Sequence, residues 1–366
     1  MSYPVERNHG CRLTMDGTLK GLRTVVLENQ KLRVTVLLDK GTDIWEFLYK
    51  PLDLDFMWRS PMLLREPKSF VPSSSTSLGL WYDYYEGGWQ DIAPSGGPSS
   101  RYKGAEFGLH GETSTIPWEC RVVENAPERI SVVFWTRLYR SPFYFEKTLS
   151  LLANEAVLHV EESVENEGEE EMRLMWGHHP ALGGNFLDEN CVIDTDARRV
   201  QVHPDVVFNR QRFTPGDSFD WPTGKGKDGK PIDVSRMPAP SSGTADLLYL
   251  TGFEKGWYAI TNLRRGIGFA MAWQKEVFPY VWLWQVCHGS EGYPWYGRTY
   301  NMALEPWTSC PGSGIAEAVA AGTALRLEPG QKVDVEMKAI VYAGSGRVTG
   351  IHPDGQVDNG EGRSSR

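Results

Sequence analysis

Apolar and polar residues alternate with a period of two along most of this chain. Residues 31–39, KLRVTVLLD, set Leu32, Val34 and Val36 against Arg33 and Thr35, the pattern of a half-buried strand. Residues 128–139, ERISVVFWTRLY, are rich in β-branched and aromatic types; residues 143–152 and 156–168 follow, parted by the turn-like ANE, and predict two further strands. WYAITNL and IGFAMAWQ flank the turn RRG at 264–266 and predict a hairpin. KVDVEMKAIVYAG at 332–344 predicts a late strand. Helical signals are few, the Ala-rich stretch 313–325 being the main one. Alternation from near residue 20 to near residue 343, with no βα alternation, predicts an all-β protein of antiparallel sheets packed face to face.

The loops are long and rich in Gly, Pro and Ser, as at 66–79, 93–108 and 224–243. None reads as an interdomain linker, so residues 1–343 are expected to form one domain. Residues 344–366 hold few apolar side chains and predict a mobile C-terminal tail.

Composition narrows the function. The chain has 366 residues, 40% hydrophobic and 23% charged, which is ordinary for a globular domain. A formal net charge of −9 argues against nucleic acid, whose phosphates need a basic footprint. Fourteen tryptophans suit either a large core or a concave site with aromatic walls for sugar rings. The five cysteines are widely spaced, with no CxxC pair, as expected of reduced thiols in the cytoplasm. No N-terminal signal pattern is visible, and no apolar run approaches the roughly 18 residues of a membrane span.

The candidate chemistry starts at MRLMWGHHPALGG, residues 172–184. On a strand, His178 and His179 point to opposite faces. His110 sits in FGLHGETSTIPWEC and His288 in WLWQVCHGSEGYPWYGR. His9, His203 and His352 lie in polar or terminal contexts and carry no functional reading; His159 reads as structural. The acidic run containing Glu161, Glu162, Glu165, Glu167 and Glu169 to Glu171 reads as a solvated strand end and turn. Glu305 differs: YNMALEPWTSCPG places it after an apolar strand and before a Pro-Trp step. A carboxylate buried there must be paired or used, and burial raises its pKa, as suits a general base.

Taken in order, Leu109-His110-Gly111 with Trp118 downstream, His178-His179-Pro180, and Ala303-Leu304-Glu305 resemble the aldose 1-epimerase, or galactose mutarotase-like, superfamily. VENEGEEEMRL (164–174) and LRLEPGQKVD (325–334) resemble its flanking strands. The resemblance spans about residues 20 to 343, and GWQDIAPSGG (88–97) with GYPWYGR (292–298) points to a branch apart from the galactose mutarotases themselves.

It implies a large antiparallel supersandwich and interconversion of sugar anomers by acid–base ring opening, with neither metal nor redox cofactor. It also implies Glu305 as base, His179 as acid and His110 binding a ring or anomeric oxygen. Pro180 confines His179 to extended geometry. Trp284, Trp89 and Trp295 are expected to stack on the sugar, and Gln90, Asp91 and Gln285 to contact its hydroxyls. The family's Tyr-Phe-Asn after the second histidine is replaced by Ala181-Leu182-Gly183. Its arginine segment is represented only by Arg101, by position.

The expected partner is a small carbohydrate, with no membrane contact, and a homodimer is one assembly open to the chain. Three rival readings stay open: a non-catalytic sugar-binding protein, a lyase on the same scaffold, and a metal enzyme using His110, His179, His288 and Glu305.

Overall fold

The computed structural model describes residues 7–66 and 76–359. Two large antiparallel sheets face one another. The 12-stranded sheet runs, in spatial order, Arg12–Leu19, Leu22–Glu28, Leu32–Leu37, Asp43–Tyr49, Trp89–Ile92, Gly177–Leu182, Tyr300–Trp307, Tyr280–Cys287, Thr244–Thr251, Arg199–Val202 and Ser218–Asp220, with Leu54–Asp55 paired to Asp43–Tyr49. The 8-stranded sheet runs Cys191–Thr195, Trp257–Asn262, Ile267–Trp273, Lys332–Ala343, Val157–Asn166, Phe143–Leu152, Arg129–Arg137 and Glu119–Asn125. The strands expected from alternation are present, and the Ala-rich stretch forms the short helix Ile315–Ala320. No helix among the described residues is long and apolar enough to cross a membrane.

The main core lies between the sheets. Val34, Val36 and Phe47 from one sheet meet Leu149, Val160 and Phe269 from the other in one buried cluster. Period-two alternation therefore gives each central strand of the larger sheet an inner face toward this core and an outer face away from it. The outer face carries a second cluster, in which Ile92, Tyr249, Trp282 and Trp307 pack against Ile315 and Ala318 of the helix. A third outer cluster brings together Trp58, Trp81, Tyr85, Leu109 and Trp295.

The expectation of a mobile tail from residue 344 is corrected over 344–359. Val348–Ile351 pairs with Val357–Asn359 as a hairpin. Its buried apolar residues, Val348, Ile351 and Val357, pack on Val157, Trp257, Ile340 and Tyr342. The Asp194 carboxylate accepts bonds from Arg347 Nε at 2.6 Å and from the Val348 backbone N–H at 2.8 Å. The apolar outer face of the smaller sheet, which the hairpin covers, compensates for the segment's low apolar content. Residues 360–366 lie outside the described residues.

Candidate functional site

The 126 positions between His179 and Glu305 collapse because their strands are neighbours. The pairs Gly177↔Trp307 and Ala181↔Ala303 bracket them, so the two side chains emerge opposite one another on the outer face. His179 Nε2 lies 3.4 Å from Glu305 Oε1. That is longer than a normal hydrogen bond, so neither group is tied up by the other. Both form part of the wall of a cavity of about 820 Å³.

Each partner is held from behind. Trp307 Nε1 donates to Glu305 Oε2 at 2.9 Å, and the Trp307 indole is stacked on Trp282 with centroids 3.9 Å apart. Gly177 makes room for it, since a Cβ there would stand 2.1 Å from the Trp307 ring. The Tyr85 hydroxyl is 3.3 Å from His179 Nδ1. Trp284 packs against the His179 ring with centroids 5.4 Å apart.

Burial dominates the electrostatics. It pushes the Glu305 carboxyl up to about 8, with the Trp307 N–H offsetting part of the rise. It pushes His179 down to about 4. Near neutral pH the pair therefore holds one proton between them, resting on the carboxyl group.

His110 joins this pair from the loop that follows the strand Ala105–Phe107. Its ring centroid is 5.8 Å from that of His179, and Trp81 packs on it at 4.6 Å. Its backbone is left-handed, with φ 59°, a conformation that costs a non-glycine residue roughly 1–2 kcal/mol and clusters at functional sites. His110 N–H donates to the Gly97 carbonyl at 3.0 Å, and the Gly97 N–H donates back to His110 Nδ1 at 3.2 Å. With Nδ1 accepting, the proton of the neutral ring sits on Nε2. Burial, and then the nearby His179, hold its pKa well below the usual imidazole value. His110 is thus a fixed, neutral hydrogen-bond donor.

Trp284 and Trp295 also line the cavity, as expected. Five other expected contacts do not. Trp89 and Asp91 are on the inner face: Trp89 Nε1 lies 3.1 Å from His178 Nδ1, and Asp91 ion-pairs with Lys147. Gln285 is one residue past Trp284 and so points inward, where its Oε1 accepts from Arg212 Nη2 at 2.7 Å. Gln90 is opposite His179 in register, but its amide donates to Asp43 Oδ2 at 2.8 Å and stays outside the cavity wall. Arg101 is exposed and ion-pairs with Glu106 at 2.8 Å. His288 is exposed too, its Nδ1 2.8 Å from the Gly297 carbonyl, and it is not in the cavity wall with the other three residues of the rival metal reading.

The wall contains residues the sequence reading passed over. Trp81, Tyr82, Tyr85 and Trp282 line it, and so does His203, which carried no functional reading. The signal for Trp307 was present: the Pro-Trp step follows Glu305 directly, two residues away being the same face of a strand.

His178 faces inward into a second buried cluster. Its Nδ1 lies 2.9 Å from Asp91 Oδ1 and its Nε2 lies 3.0 Å from Glu162 Oε2; Lys147 neutralises Asp91. Burial alone would lower the His178 pKa, but Glu162 and Asp91 outweigh it and raise it to about 9. For Asp91, burial opposes ionisation, and Lys147 with His178 prevails, holding it at about 2. Glu162 is corrected from solvated to buried. Donor atoms of Asp91, Glu162 and His178 lie within 4.8 Å of one another, a spacing that can suit a metal ion. Here Lys147 and a protonated His178 already balance the two carboxylates.

A family model described as a domain of unknown function, DUF4432, matches residues 19–341. No curated protein matches the chain. Among solved structures, a Klebsiella pneumoniae protein provisionally designated an aldose 1-epimerase aligns over 92% of this chain and 84% of its own, with TM-score 0.68 and 14% identity. A galactose mutarotase-like protein from Clostridium acetobutylicum aligns over 91% and 99%, with TM-score 0.61 and 14% identity. One from Lactobacillus casei aligns over 87% and 100%, with TM-score 0.55 and 16% identity. These likenesses establish the galactose mutarotase-like β-sandwich fold, and on the family match this chain belongs to the DUF4432 family.

Proposed function

We propose that this protein is a sugar 1-epimerase, which opens and recloses a pyranose or furanose ring at its anomeric carbon. The observation that carries the reading is the pair His179–Glu305, which faces one cavity, shares one proton and is 3.4 Å apart.

Ring opening needs a proton removed from the anomeric hydroxyl and another delivered to the ring oxygen. Rotation about C1–C2 and reclosure then give the other anomer. At rest the proton is on Glu305; once it has crossed to His179, the carboxylate accepts the first proton and the imidazolium supplies the second. After opening, the proton sits on Glu305 and His179 is neutral, which is the state needed to reclose the ring. The pair thus cycles between two placements of a single proton and ends each turnover as it began. His110 Nε2–H suits a ring or carbonyl oxygen that gains negative charge. The aromatic wall of Trp81, Tyr85, Trp284 and Trp295 suits the apolar face of a sugar.

The lyase reading is weaker. Elimination from a uronic acid needs cations to neutralise its carboxylate, and none of the described residues lining the cavity is Lys or Arg.

The test is anomer exchange followed by magnetisation-transfer NMR over a panel of reducing sugars. The wild-type protein is expected to accelerate exchange of at least one sugar. Glu305→Gln and His179→Gln should each lose about 10²–10⁴-fold, the usual worth of a positioned proton transfer. A Glu305→Gln variant that exchanges anomers at the wild-type rate overturns the assignment.

A further inference from the structure

The chemistry proposed above occupies only one end of the cavity. The floor is laid down by four adjacent strands, which contribute in order His179, Glu305, Trp282 with Trp284, and Leu247. Three steps between neighbouring strands span about 14 Å, more than a single pyranose ring needs. A volume of about 820 Å³ is likewise near the upper end of the roughly 300–1,000 Å³ range of ligand pockets.

The far end has a makeup of its own. Loop 203–208 supplies His203, Asp205 and Phe208, and the helix Ile315–Ala320 supplies Glu317. His203 is 7% exposed. Its Nδ1 accepts the Asp205 backbone N–H at 3.0 Å, so the neutral ring carries its proton on Nε2; the ring's other contacts are Ser313 Oγ, 3.5 Å from Nε2 and at the outer limit of a hydrogen bond, and the Gly312 backbone. One buried donor, two carboxylate acceptors and an apolar surface from Phe208 and Leu247 make up the mixed lining that recognises a ring of hydroxyls.

We propose that the cavity takes an uncharged reducing disaccharide, with its reducing ring over His179 and Glu305 and its second ring between Leu247, His203, Asp205 and Glu317. This deepens the epimerase reading and rests on it for the placement of the reducing ring. Carboxylates without Lys or Arg in the described lining disfavour phosphorylated and acidic sugars.

Two measurements on the full chain separate the proposals. The first is kcat/KM for anomer exchange of glucose and galactose against maltose, cellobiose, lactose, glucose 6-phosphate and glucuronic acid. At least one disaccharide is expected to exceed its own reducing monosaccharide by about tenfold, the worth of one or two well-placed hydrogen bonds. The double variant Asp205→Asn/Glu317→Gln, made at two exposed positions, should narrow that ratio toward one. Disaccharides no better than their monosaccharides, or a preference for an anionic sugar, overturn the proposal.

The second is calorimetric binding of the same sugars to Glu305→Gln, which needs no turnover. Tighter binding of a disaccharide than of its monosaccharide upholds the second-ring site even if the wild-type protein exchanges no anomers, in which case only the epimerase reading falls. Equal affinities remove the second-ring site whatever the activity.

Discussion

His178 and His179 leave one strand in opposite directions and meet opposite chemistry. Both are buried, so desolvation pushes both pKa values down. Outward, His179 meets aromatic rings and a carboxyl group that is itself hard to ionise, and it stays neutral. Inward, His178 meets two carboxylates backed by Lys147, and it holds its proton up to about pH 9. The inner quartet joins the sheets, with His178 and Asp91 from the larger one and Lys147 and Glu162 from the smaller. Its charges cancel in place, which suits a structural role. The outer pair is left one proton short of full occupancy, which suits proton transfer.

The largest stability effect is expected from breaking the quartet. Lys147→Met leaves Asp91 and Glu162 with one cation between them and should cost about 3–5 kcal/mol in urea unfolding. A cost below about 1 kcal/mol would mean that the cluster is not charged.

Glu305→Gln should act in the other direction. Between its ordinary value and about 8, the folded protein holds a proton that the unfolded chain has released, so stability falls as pH rises through that window. The variant should therefore be as stable as wild type below pH 4.5 and more stable by roughly 4 kcal/mol at pH 8. Equal stability at pH 8 would place the carboxylate in a solvated site.

His178 has the opposite pH signature. Its folded pKa is raised, so its contribution is complete below about pH 6.5 and disappears as pH rises through about 9. His178→Gln should lose about 3 kcal/mol at pH 6 and much less at pH 10, read from chemical denaturation at both values. A loss independent of pH would mean packing rather than charge.

The smallest effect is expected at Trp307. Trp307→Phe removes the N–H that favours the Glu305 carboxylate and should move the alkaline limb of the activity profile up by about one pH unit.

Much of the sandwich was legible, because alternation over long segments such as 128–168 leaves strands as the only pattern that buries one face. His179, Glu305 and His110 were legible through the order of their motifs, and they converge. Trp89, Asp91 and Gln285 were misread because proximity in sequence was allowed to outweigh alternation: each follows or precedes an outward residue by one position and so points inward. The inner quartet left a signal too. Lys147 sits in phase with Phe143, Phe145, Leu149 and Leu151, and Glu162 with Val160 and Val164. A charge at a core position must find a partner. The roles of His203 and Tyr85 were not legible, since both reach the cavity from loops whose course depends on the assembled sheets.

The most direct test of the central claim is kcat/KM for anomer exchange against pH, on whichever sugar the protein turns over best. A pair that works with one proton predicts a bell with limbs near pH 4, where His179 gains a second proton, and near pH 8, where Glu305 loses the only one. A rate that stays flat from pH 4 to pH 10 would contradict it.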